Sequence, residues 1–328
     1  MISPAGAGWC LGGTRPAILK TVSCSYQPRE KTAMPAQPPQ RKPPWLRRPL
    51  PLAGGAAGLE AGLAGQGLGT ICQEGRCPNR AECFGRGVAT FLAMGQVCTR
   101  ACAFCAVRSG RPQPLDPGEP ERLARQVAAM DLSFVVVTSV TRDDLADGGA
   151  GHLARVVAEL RRHCPGVGVE LLVPDFRGSA AALATVLEAG PEVLAHNLET
   201  VDRLSPRVRP AAGYRRSLEL LARAKQMVPA QMTKSGLMLG LGEGRDEVLA
   251  ALQDLRAAGC GLLTLGQYLS PSPRHHPVVE YVSPQAFQEY EAAAKDMGFA
   301  AVAAGPYVRS SYLAERYYRQ AVGQPGPG

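Results

Sequence analysis

The sequence contains no apolar segment long enough to cross a membrane, and its first residues do not combine a basic segment with a following apolar one. The first absence excludes a transmembrane helix, which needs about 20 consecutive apolar residues. The second argues against a secretory signal peptide. Hydrophobic residues make up 45% and charged residues 20% of the 328 residues, as in an ordinary globular protein. We therefore expect a cytoplasmic protein without a membrane partner.

The chain also lacks a charge excess outside its first 50 residues. Those residues hold eight Lys or Arg and one acid, Glu30, so they carry +7 of the net charge of +8. The rest of the chain is nearly neutral, whereas nucleic-acid-binding domains carry a basic patch. We therefore expect no nucleic-acid partner.

The same first 50 residues contain nine Pro and no sustained apolar periodicity. Residues 1–41 are therefore predicted to be a disordered, basic leader, in which Met34 is an alternative start. A mitochondrial transit peptide is a competing interpretation, but Arg is sparse before residue 41 and no amphipathic helix is visible. The segment from Lys42 to Leu50 is predicted to dock on the globular body.

Three of the ten cysteines, Cys98, Cys102 and Cys105, have the spacing CxxxCxxC. No fourth Cys or His follows nearby, whereas a structural zinc site needs four ligands. Thiolates are the ligands that iron-sulfur clusters prefer, and three of them leave one iron of a 4Fe-4S cluster open. We predict such a cluster here. The alternatives are a zinc loop with a distant fourth ligand, or three unconnected thiols.

A second triad, Cys72, Cys77 and Cys83, lies just upstream with the different spacing CxxxxCxxxxxC. Disulfides do not suit two triads this close together, because pairing would cross-link the loop of the CxxxCxxC motif. We therefore predict a second cluster. Free thiols in this number also indicate a reducing compartment.

From Val88 onward, apolar runs alternate with amphipathic stretches, which predicts β-α units around a parallel sheet. The predicted strands are Ala89–Met94, Phe134–Thr138, Val167–Leu172, Val193–His196, Gly236–Leu239 and Leu262–Leu265. The predicted helices are Pro120–Met130, Gly151–Cys164, Ser179–Ala189, Gly213–Met227, Arg245–Ala258 and Pro284–Met297. Six units are too few for an eightfold barrel, so we predict the α/β class with a partial (β/α)6 TIM-like barrel.

The functional site of such a barrel lies at the carboxyl ends of the strands. The CxxxCxxC motif follows the first predicted strand, Ser139 to Asp144 follow the second, and Asn197 and Glu199 follow the fourth. We therefore expect these loops to meet at one site.

The two triads, in this order, resemble those of the lipoyl synthase family, which belongs to the radical S-adenosylmethionine superfamily. Further segments resemble that family over about residues 42 to 318. They are Lys42–Leu46, Thr138–Leu145 with Asp147–Gly149, His196–Thr200, Lys234–Glu243 and Arg309–Tyr312.

The resemblance implies an enzyme, a sulfurtransferase that uses two 4Fe-4S clusters and S-adenosylmethionine. In the first cluster, held by the CxxxCxxC thiols, the open iron chelates the amino and carboxylate groups of S-adenosylmethionine. Reductive cleavage of that cofactor then gives a 5′-deoxyadenosyl radical, which removes hydrogen atoms from C6 and C8 of an octanoyl chain on a protein lysine. The second cluster donates two sulfur atoms to these carbons, which completes the lipoyl group.

The resemblance also assigns roles to individual residues. Ser311 of the RSSY stretch is implied to be the fourth ligand of the cluster held by the upstream triad, with Ser310 as the runner-up. Phe104, directly before the third Cys, fits the superfamily pattern. Contacts to S-adenosylmethionine are expected from Asp147, Gly148, Gly149, Asn197 and Glu199, although an Asp-Gly-Gly sequence is more often a turn.

These inferences divide the chain into a leader (1–41), an N-terminal extension with the upstream triad (42–87), a barrel (88–300) and a C-terminal extension with the RSSY stretch (301–328). The implied partners are an octanoylated carrier domain (H protein or a 2-oxoacid dehydrogenase E2 subunit), a flavodoxin or ferredoxin type of electron donor, and cluster-assembly proteins. Alternatives are a biotin synthase-like or methylthiotransferase-like enzyme, a zinc-binding interaction module, and a ferredoxin-like electron carrier.

Overall fold

In the computed structural model, the described residues are 41–47 and 55–325. The predicted leader, apart from residue 41, and the alternative start at Met34 lie outside them. Residues 41–47 contain a short 3-10 turn, Pro44–Leu46, in which Leu46 is buried. The burial of Leu46 fits the predicted docking of this segment on the body.

The described residues form the following strands and helices. The strands are β1 (Gly69–Thr70), β2 (Thr90–Ala93), β3 (Val97–Cys98), β4 (Arg108–Ser109), β5 (Phe134–Ser139), β6 (Gly168–Leu172), β7 (Val193–Ala195), β8 (Met232–Leu239), β9 (Leu262–Gln267) and β10 (Ala301–Gly305). The helices are α1 (Gly55–Gly65), α2 (Ile71–Glu74), α3 (Arg80–Gly85), α4 (Glu119–Ala129), α5 (Ala150–His163), α6 (Ala180–Glu188), α7 (Ser205–Val208), α8 (Tyr214–Met227), α9 (Arg245–Ala257), α10 (Pro284–Asp296) and α11 (Ala314–Ala321).

One sheet organises the body, with the strand order β1-β2-β5-β6-β7-β8-β9-β10. Neighbouring strands are parallel from β2 to β10, and only the β1-β2 pair is antiparallel. All six predicted strands and all six predicted helices are present, although β8 begins at Met232 rather than at Gly236. The predicted fold, an α/β partial TIM-like barrel, is confirmed.

The last strand, β10, was not predicted, because its sequence, AVAAG, consists mostly of small residues that are depleted in strands. This strand pairs in parallel with β9, from Ala301 opposite Leu262 to Gly305 opposite Gly266. The sheet therefore extends past residue 300, the predicted end of the barrel. We propose the same division into extensions and barrel, with the last boundary after Gly305.

The helices cover the outer face of the sheet because each presents one apolar stripe. On α5, the buried residues recur at helical spacing: Ala150, Leu153, Val156, Val157 and Leu160. Burying a Val or Leu side chain contributes about 1.5–3 kcal/mol, so this stripe anchors α5 on the body.

The open side of the partial barrel lies between the edge strands β1 and β10. Residues 306–313, here called the strap, leave β10 and bring Ser311 to Thr90, the first residue of β2. The following helix, α11, packs Tyr317, Tyr318 and Ala321 against a cluster at the amino ends of the strands. The strap therefore crosses the open side, and α11 closes the amino-terminal end of the barrel.

No helix among the described residues is long and apolar enough to span a membrane.

Candidate functional site

A cavity of about 530 Å³ lies inside the partial barrel and brings together residues that are far apart in sequence. The predicted site residues that line it are Cys72, Cys77, Cys98, Cys102, Cys105, Phe104, Asn197, Glu199, Ser310 and Ser311. Its walls include the carboxyl ends of β5, β6, β8 and β9, as expected for this fold. Both thiol triads therefore contribute to one cavity.

Cys98 ends β3 and has a sulfur atom that accepts two backbone hydrogen bonds. The N–H of Arg100 lies 3.4 Å from this sulfur and the N–H of Thr141 lies 3.3 Å from it. Hydrogen bonds from N–H groups to an ionised acceptor are strong, so this environment suits a thiolate ligand.

The rest of the CxxxCxxC loop is held by two remote segments. The N–H of Ala103 donates to the carbonyl of Val208 at 2.9 Å, and the N–H of His276 donates to the carbonyl of Ala103 at 2.8 Å. The ring of His275 places Nε2 3.0 Å from the carbonyl oxygen of Cys105, a geometry in which that nitrogen donates. Neither histidine could be predicted from the sequence, because no motif spacing connects them to the loop.

Arg100 fixes the same loop through two carboxylates. Its guanidinium donates to both oxygens of Asp143, at 2.7 and 2.9 Å, and to Asp175 at 2.6 Å. Burial alone would raise the pKa of Asp175, but the Arg100 guanidinium and the backbone N–H of Arg177 together lower it below its usual value. Arg100 thus joins the loop to the ends of β5 and β6.

Burial raises the pKa of the Cys102 thiol to about 11 and that of Cys105 to about 12. Neighbouring thiols contribute to both upward shifts of pKa, whereas the Arg209 guanidinium opposes the shift of Cys102. Both groups are therefore protonated at neutral pH in the metal-free chain. Binding of a metal cluster requires the thiolates and must release these protons.

Asn197 and Glu199 lie beside the CxxxCxxC loop in the cavity. Asn197 Oδ1 is buried and has no hydrogen-bond partner in the described part of the chain, so it can accept a hydrogen bond from a ligand. A Cβ atom on Gly236 would lie 3.2 Å from this oxygen and 2.4 Å from Thr264 Oγ1. A glycine at position 236 thus keeps open the space next to an unused acceptor.

Glu199 adopts a left-handed backbone conformation, with φ of 68°, while its backbone is fixed against β8 by hydrogen bonds to Gly236 and Met238. Such strain persists only where the surroundings impose it, and it is common at functional sites. Burial raises the pKa of the Glu199 carboxyl, an effect that Arg209 and a hydrogen bond with Asn197 oppose.

The Asp147-Gly148-Gly149 stretch does not line this cavity. The carboxylate of Asp147 accepts hydrogen bonds from the N–H groups of Gly149 and Gly151, at 2.9 and 2.8 Å, at the start of α5. Gly149 has φ of 88°, and a Cβ there would collide with Met94. The stretch therefore serves as a turn that begins a helix, and the structure gives no support to its expected contacts with S-adenosylmethionine.

The upstream triad forms a compact group. Cys72 is buried, Cys77 and Cys83 are half-buried, and all three pack with Phe84 and Ala89. Burial raises the pKa of the Cys72 thiol, and it raises that of Cys83 to about 11. Cys83 does not line the cavity but is close enough to Cys72 and Cys77 for their charges to act on it.

Side-chain hydrogen bonds tie the strap to this triad region. Thr90 Oγ1 donates to Ser311 Oγ at 2.8 Å, and Asn79 Nδ2 donates to the carbonyl of Tyr307 at 2.7 Å. The hydroxyl of Tyr312 lies 3.5 Å from a carboxylate oxygen of Glu82. Ser311 is therefore placed beside the triad although the two are far apart in sequence.

Both sets of thiols fit an iron-sulfur cluster in their chemistry. Within residues 41–47 and 55–325, no three His, Cys, Asp or Glu side chains are arranged to hold a single metal ion. The ligands of a 4Fe-4S cluster bind different irons, so they stand farther apart than the ligands of one ion. Each set offers three thiols as ligands. Two backbone N–H groups hydrogen-bond to the Cys98 sulfur, and the Ser311 hydroxyl beside the upstream triad offers an oxygen ligand.

Comparisons with solved structures agree with this fold. Streptococcus suis SuiB bound to S-adenosylmethionine superposes with a TM-score of 0.51 at 9% identity, covering 72% of this chain and 56% of that chain. HydG, a maturase of the [FeFe]-hydrogenase, superposes with a TM-score of 0.52 at 15% identity, covering 64% of this chain and 50% of that chain. At such identities these similarities show the fold alone.

Sequence comparisons are more specific. The sequence model of the Radical SAM superfamily matches residues 92–255, half of the chain. The lipoyl synthase of Trichlorobacter lovleyi is 58% identical over 279 residues, which are 85% of this chain and 99% of that protein. The lipoyl synthase of Thermus thermophilus is 51% identical over 291 residues, which are 88% of this chain and 90% of that protein. The chain therefore belongs to the lipoyl synthase family of radical S-adenosylmethionine enzymes.

Proposed function

We propose that this chain is a lipoyl synthase, which replaces one hydrogen with sulfur at each of C6 and C8 of an octanoyl chain on a protein lysine. The observation that carries the proposal is the single cavity lined by thiols of both triads. A shared cavity allows one acyl chain to reach a hydrogen-abstracting centre and a sulfur source without leaving the protein. The zinc-module and electron-carrier alternatives do not account for such a cavity.

Cys98, Cys102 and Cys105 are the proposed ligands of the 4Fe-4S cluster that membership of the superfamily implies. With S-adenosylmethionine bound, this cluster supplies the radical chemistry that removes hydrogen from an unactivated carbon, which no side chain can do. The protein contributes the fixed loop: two N–H groups on the Cys98 sulfur, and Arg100 holding the loop to neighbouring strands.

Asn197 and Glu199 are the proposed contacts of S-adenosylmethionine, together with Phe104. The unpartnered oxygen of Asn197 suits a hydroxyl or ammonium donor, and the open space at Gly236 lets the ligand approach it. Glu199 offers a carboxylate beside the same loop. Asp147, Gly148 and Gly149 are left out of this proposal because of their role at the start of α5.

Cys72, Cys77, Cys83 and Ser311 are the proposed ligands of a second 4Fe-4S cluster, which is the proposed sulfur donor. An alkoxide oxygen is a hard ligand for iron in such a cluster and leaves more easily than a thiolate, which suits a cluster that gives up sulfur. Ser311 is preferred over Ser310 because its hydroxyl is hydrogen-bonded to Thr90, which also contacts Cys72.

The rest of the cavity suits an acyl chain. Apolar wall residues from five different parts of the chain are Leu92, Val140, Leu237, Leu269 and Val308. Such walls exclude water, which protects a reactive carbon and holds the chain near the two proposed clusters.

The proposed substrate is an octanoylated carrier domain, such as an H protein or an E2 subunit, and the cavity rim suits an acidic surface. Among the described residues that line the cavity, five are Lys or Arg and two are acidic. Both acids, Asp175 and Glu199, lie near buried arginines, whereas Lys42 and Arg76 are exposed. A flavodoxin or ferredoxin type of electron donor and cluster-assembly proteins complete the proposed partners.

The test is an anaerobic incubation of the reconstituted protein with S-adenosylmethionine, a reductant and a peptide that carries octanoyl-lysine. We expect methionine, 5′-deoxyadenosine and a product with two C–H bonds replaced by C–S bonds. Cys98→Ala should abolish cofactor cleavage, whereas Cys72→Ala should keep some cleavage and lose sulfur insertion. Sulfur insertion by the Cys72→Ala variant, or cleavage without sulfur insertion by the wild type, would contradict the proposal.

A further inference from the structure

The side chain of Thr90 lies between two proposed ligands of the second cluster. Its hydroxyl donates to Ser311 Oγ at 2.8 Å, and Thr90 lies close enough to Cys72 to lower the pKa of that thiol against the larger, raising effect of burial. Thr90 is 5% exposed, so water does not compete for its hydrogen bond to Ser311. A single residue therefore contacts the N-terminal extension and the strap at the positions where both offer a ligand.

Thr90 is also the most firmly fixed of the three residues. It begins β2, is paired with Val136 of β5, and has a β-branched side chain with restricted rotamers. Cys72 lies in the four-residue helix α2, and Ser311 lies in the strap, outside the sheet. The sheet therefore sets the separation of Cys72 and Ser311 through Thr90.

We propose that Thr90 is a positioning residue of the second cluster, which holds the Ser311 oxygen beside the Cys72 sulfur. This inference rests on the proposed function, because it takes Cys72 and Ser311 as ligands. A hydroxyl is required, and a side chain of the same shape without one does not replace it. Thr90 acts through the two ligands and not on the acyl chain.

The test compares Thr90→Val, which keeps the shape and removes the hydroxyl, with Thr90→Ser, which keeps the hydroxyl. Both changes are made in a Cys98→Ala, Cys102→Ala, Cys105→Ala background, so that only the second cluster can assemble. The measured quantities are the iron content after anaerobic reconstitution and the rate of iron loss to a chelator. Mössbauer spectra of ⁵⁷Fe protein report whether one iron differs from the other three.

We expect the Thr90→Val protein to lose iron about five to ten times faster than its parent, the effect of one lost hydrogen bond. The spectroscopic distinction of one iron should weaken in the same variant, and Thr90→Ser should behave like the parent. Equal rates and spectra for Thr90→Val and the parent would overturn the inference.

Two further measurements separate this inference from other failures. Thermal unfolding of the metal-free proteins shows whether Thr90→Val destabilises the whole fold, and a faster iron loss explained by unfolding alone would also overturn the inference. If the parent itself binds no cluster, the proposed second site fails, and with it the proposed function. Cluster binding by the parent with no effect of Thr90→Val would overturn only the role of Thr90.

Discussion

At the scale of single residues, Arg100 is the main link between the CxxxCxxC loop and the barrel. Its side chain is 5% exposed and binds Asp143 and the fully buried Asp175, while Arg216 approaches Asp175 from outside at 3.1 Å with 40% of its side chain exposed. Removing one partner of a buried ion pair lowers the free energy of unfolding far more than removing one partner of an exposed ion pair.

We therefore predict that Arg100→Met lowers the free energy of unfolding by about 3 kcal/mol, because two carboxylates lose their partner. Arg216→Met, the matched control on the same carboxylate, should cost less than about 1 kcal/mol. Chemical denaturation measures both values. Equal losses would show that burial does not distinguish the two arginines.

The buried ring of His196 should make the stability of the fold depend on pH. It is 3% exposed, its Nδ1 donates to the carbonyl of Val173 at 2.8 Å, and its Nε2 accepts from Ser217 at 2.9 Å. Burial, assisted by the Arg209 charge, lowers the pKa of His196 from 6.5 to about 4. The folded chain thus keeps the ring neutral at a pH where the unfolded chain protonates it.

Unfolding takes up a proton at His196 between pH 6.5 and about 4, so stability must fall as the pH falls through this range. We predict that the protonation of His196 lowers the free energy of unfolding by about 3 kcal/mol at pH 4. Denaturation of the wild type and of a His196→Gln variant at several pH values measures it. The variant should show a smaller slope, and identical slopes would assign the pH dependence to other groups.

At this scale, local spacing predicts only part of the site. Each thiol triad could be predicted because its three members are close together in the sequence. Arg209, His275 and Thr90 could not, because their partners lie in remote segments that only the fold brings together. Asp147 shows the opposite case: a motif consistent with cofactor binding is a turn whose carboxylate is used by backbone N–H groups.

At the scale of elements, the strap lies against two glycines in neighbouring strands and depends on one of them. Gly266 of β9 and Gly305 of β10 are register partners, and both lie next to Val308 of the strap. A Cβ on Gly266 would lie 2.0 Å from the carbonyl oxygen of Val308, whereas a Cβ on Gly305 would make an ordinary 3.6 Å contact with its side chain. The backbone of the strap can approach β9 only because residue 266 has no side chain.

We predict that Gly266→Ala displaces the strap and with it Ser311, so that the reconstituted protein retains less iron at the second site and loses sulfur insertion. Cleavage of S-adenosylmethionine should persist, because the hydrogen bonds that hold the CxxxCxxC loop run to Thr141, Val208 and His276, which lie outside the strap. Gly305→Ala is the matched control and should bind iron like the wild type. Normal iron content and sulfur insertion in Gly266→Ala would refute this role of the strap.

The elements that the sequence predicted best are long and strongly patterned, such as α5 with its apolar stripe and β5 with its Val run. The strand β10 was missed because the sheet, and not the propensity of Ala and Gly, makes it a strand. The path of the strap could not be predicted from the sequence either, since it depends on the gap between the two edges of the sheet.

At the scale of the whole molecule, the charges around the cavity are unevenly distributed. The carboxylates lie inside, next to arginines, and the exposed Lys42 and Arg76 lie at the rim. An octanoyl amide carries no charge, so a cationic rim is better explained by an acidic surface on the carrier.

We predict that Lys42→Glu together with Arg76→Glu raises the KM for an octanoylated carrier domain about fivefold and leaves kcat nearly unchanged. Steady-state assays at low and high ionic strength measure this effect, which salt should reduce. The double variant Arg41→Glu, Arg47→Glu serves as the control, because it changes the net charge by the same amount at residues that do not line the cavity. An equal rise of KM for a short neutral octanoyl-lysine peptide would argue against docking of the carrier at the rim.

Two clusters are proposed to face one cavity, and the iron and sulfide content of the anaerobically reconstituted protein shows whether both are present. The wild type is compared with a variant in which Cys72, Cys77 and Cys83 are all Ala. We predict about eight irons in the wild type and about four in the variant, with cofactor cleavage retained. Four or fewer irons in the wild type, or zinc in their place, would contradict the second cluster and with it the proposed source of sulfur.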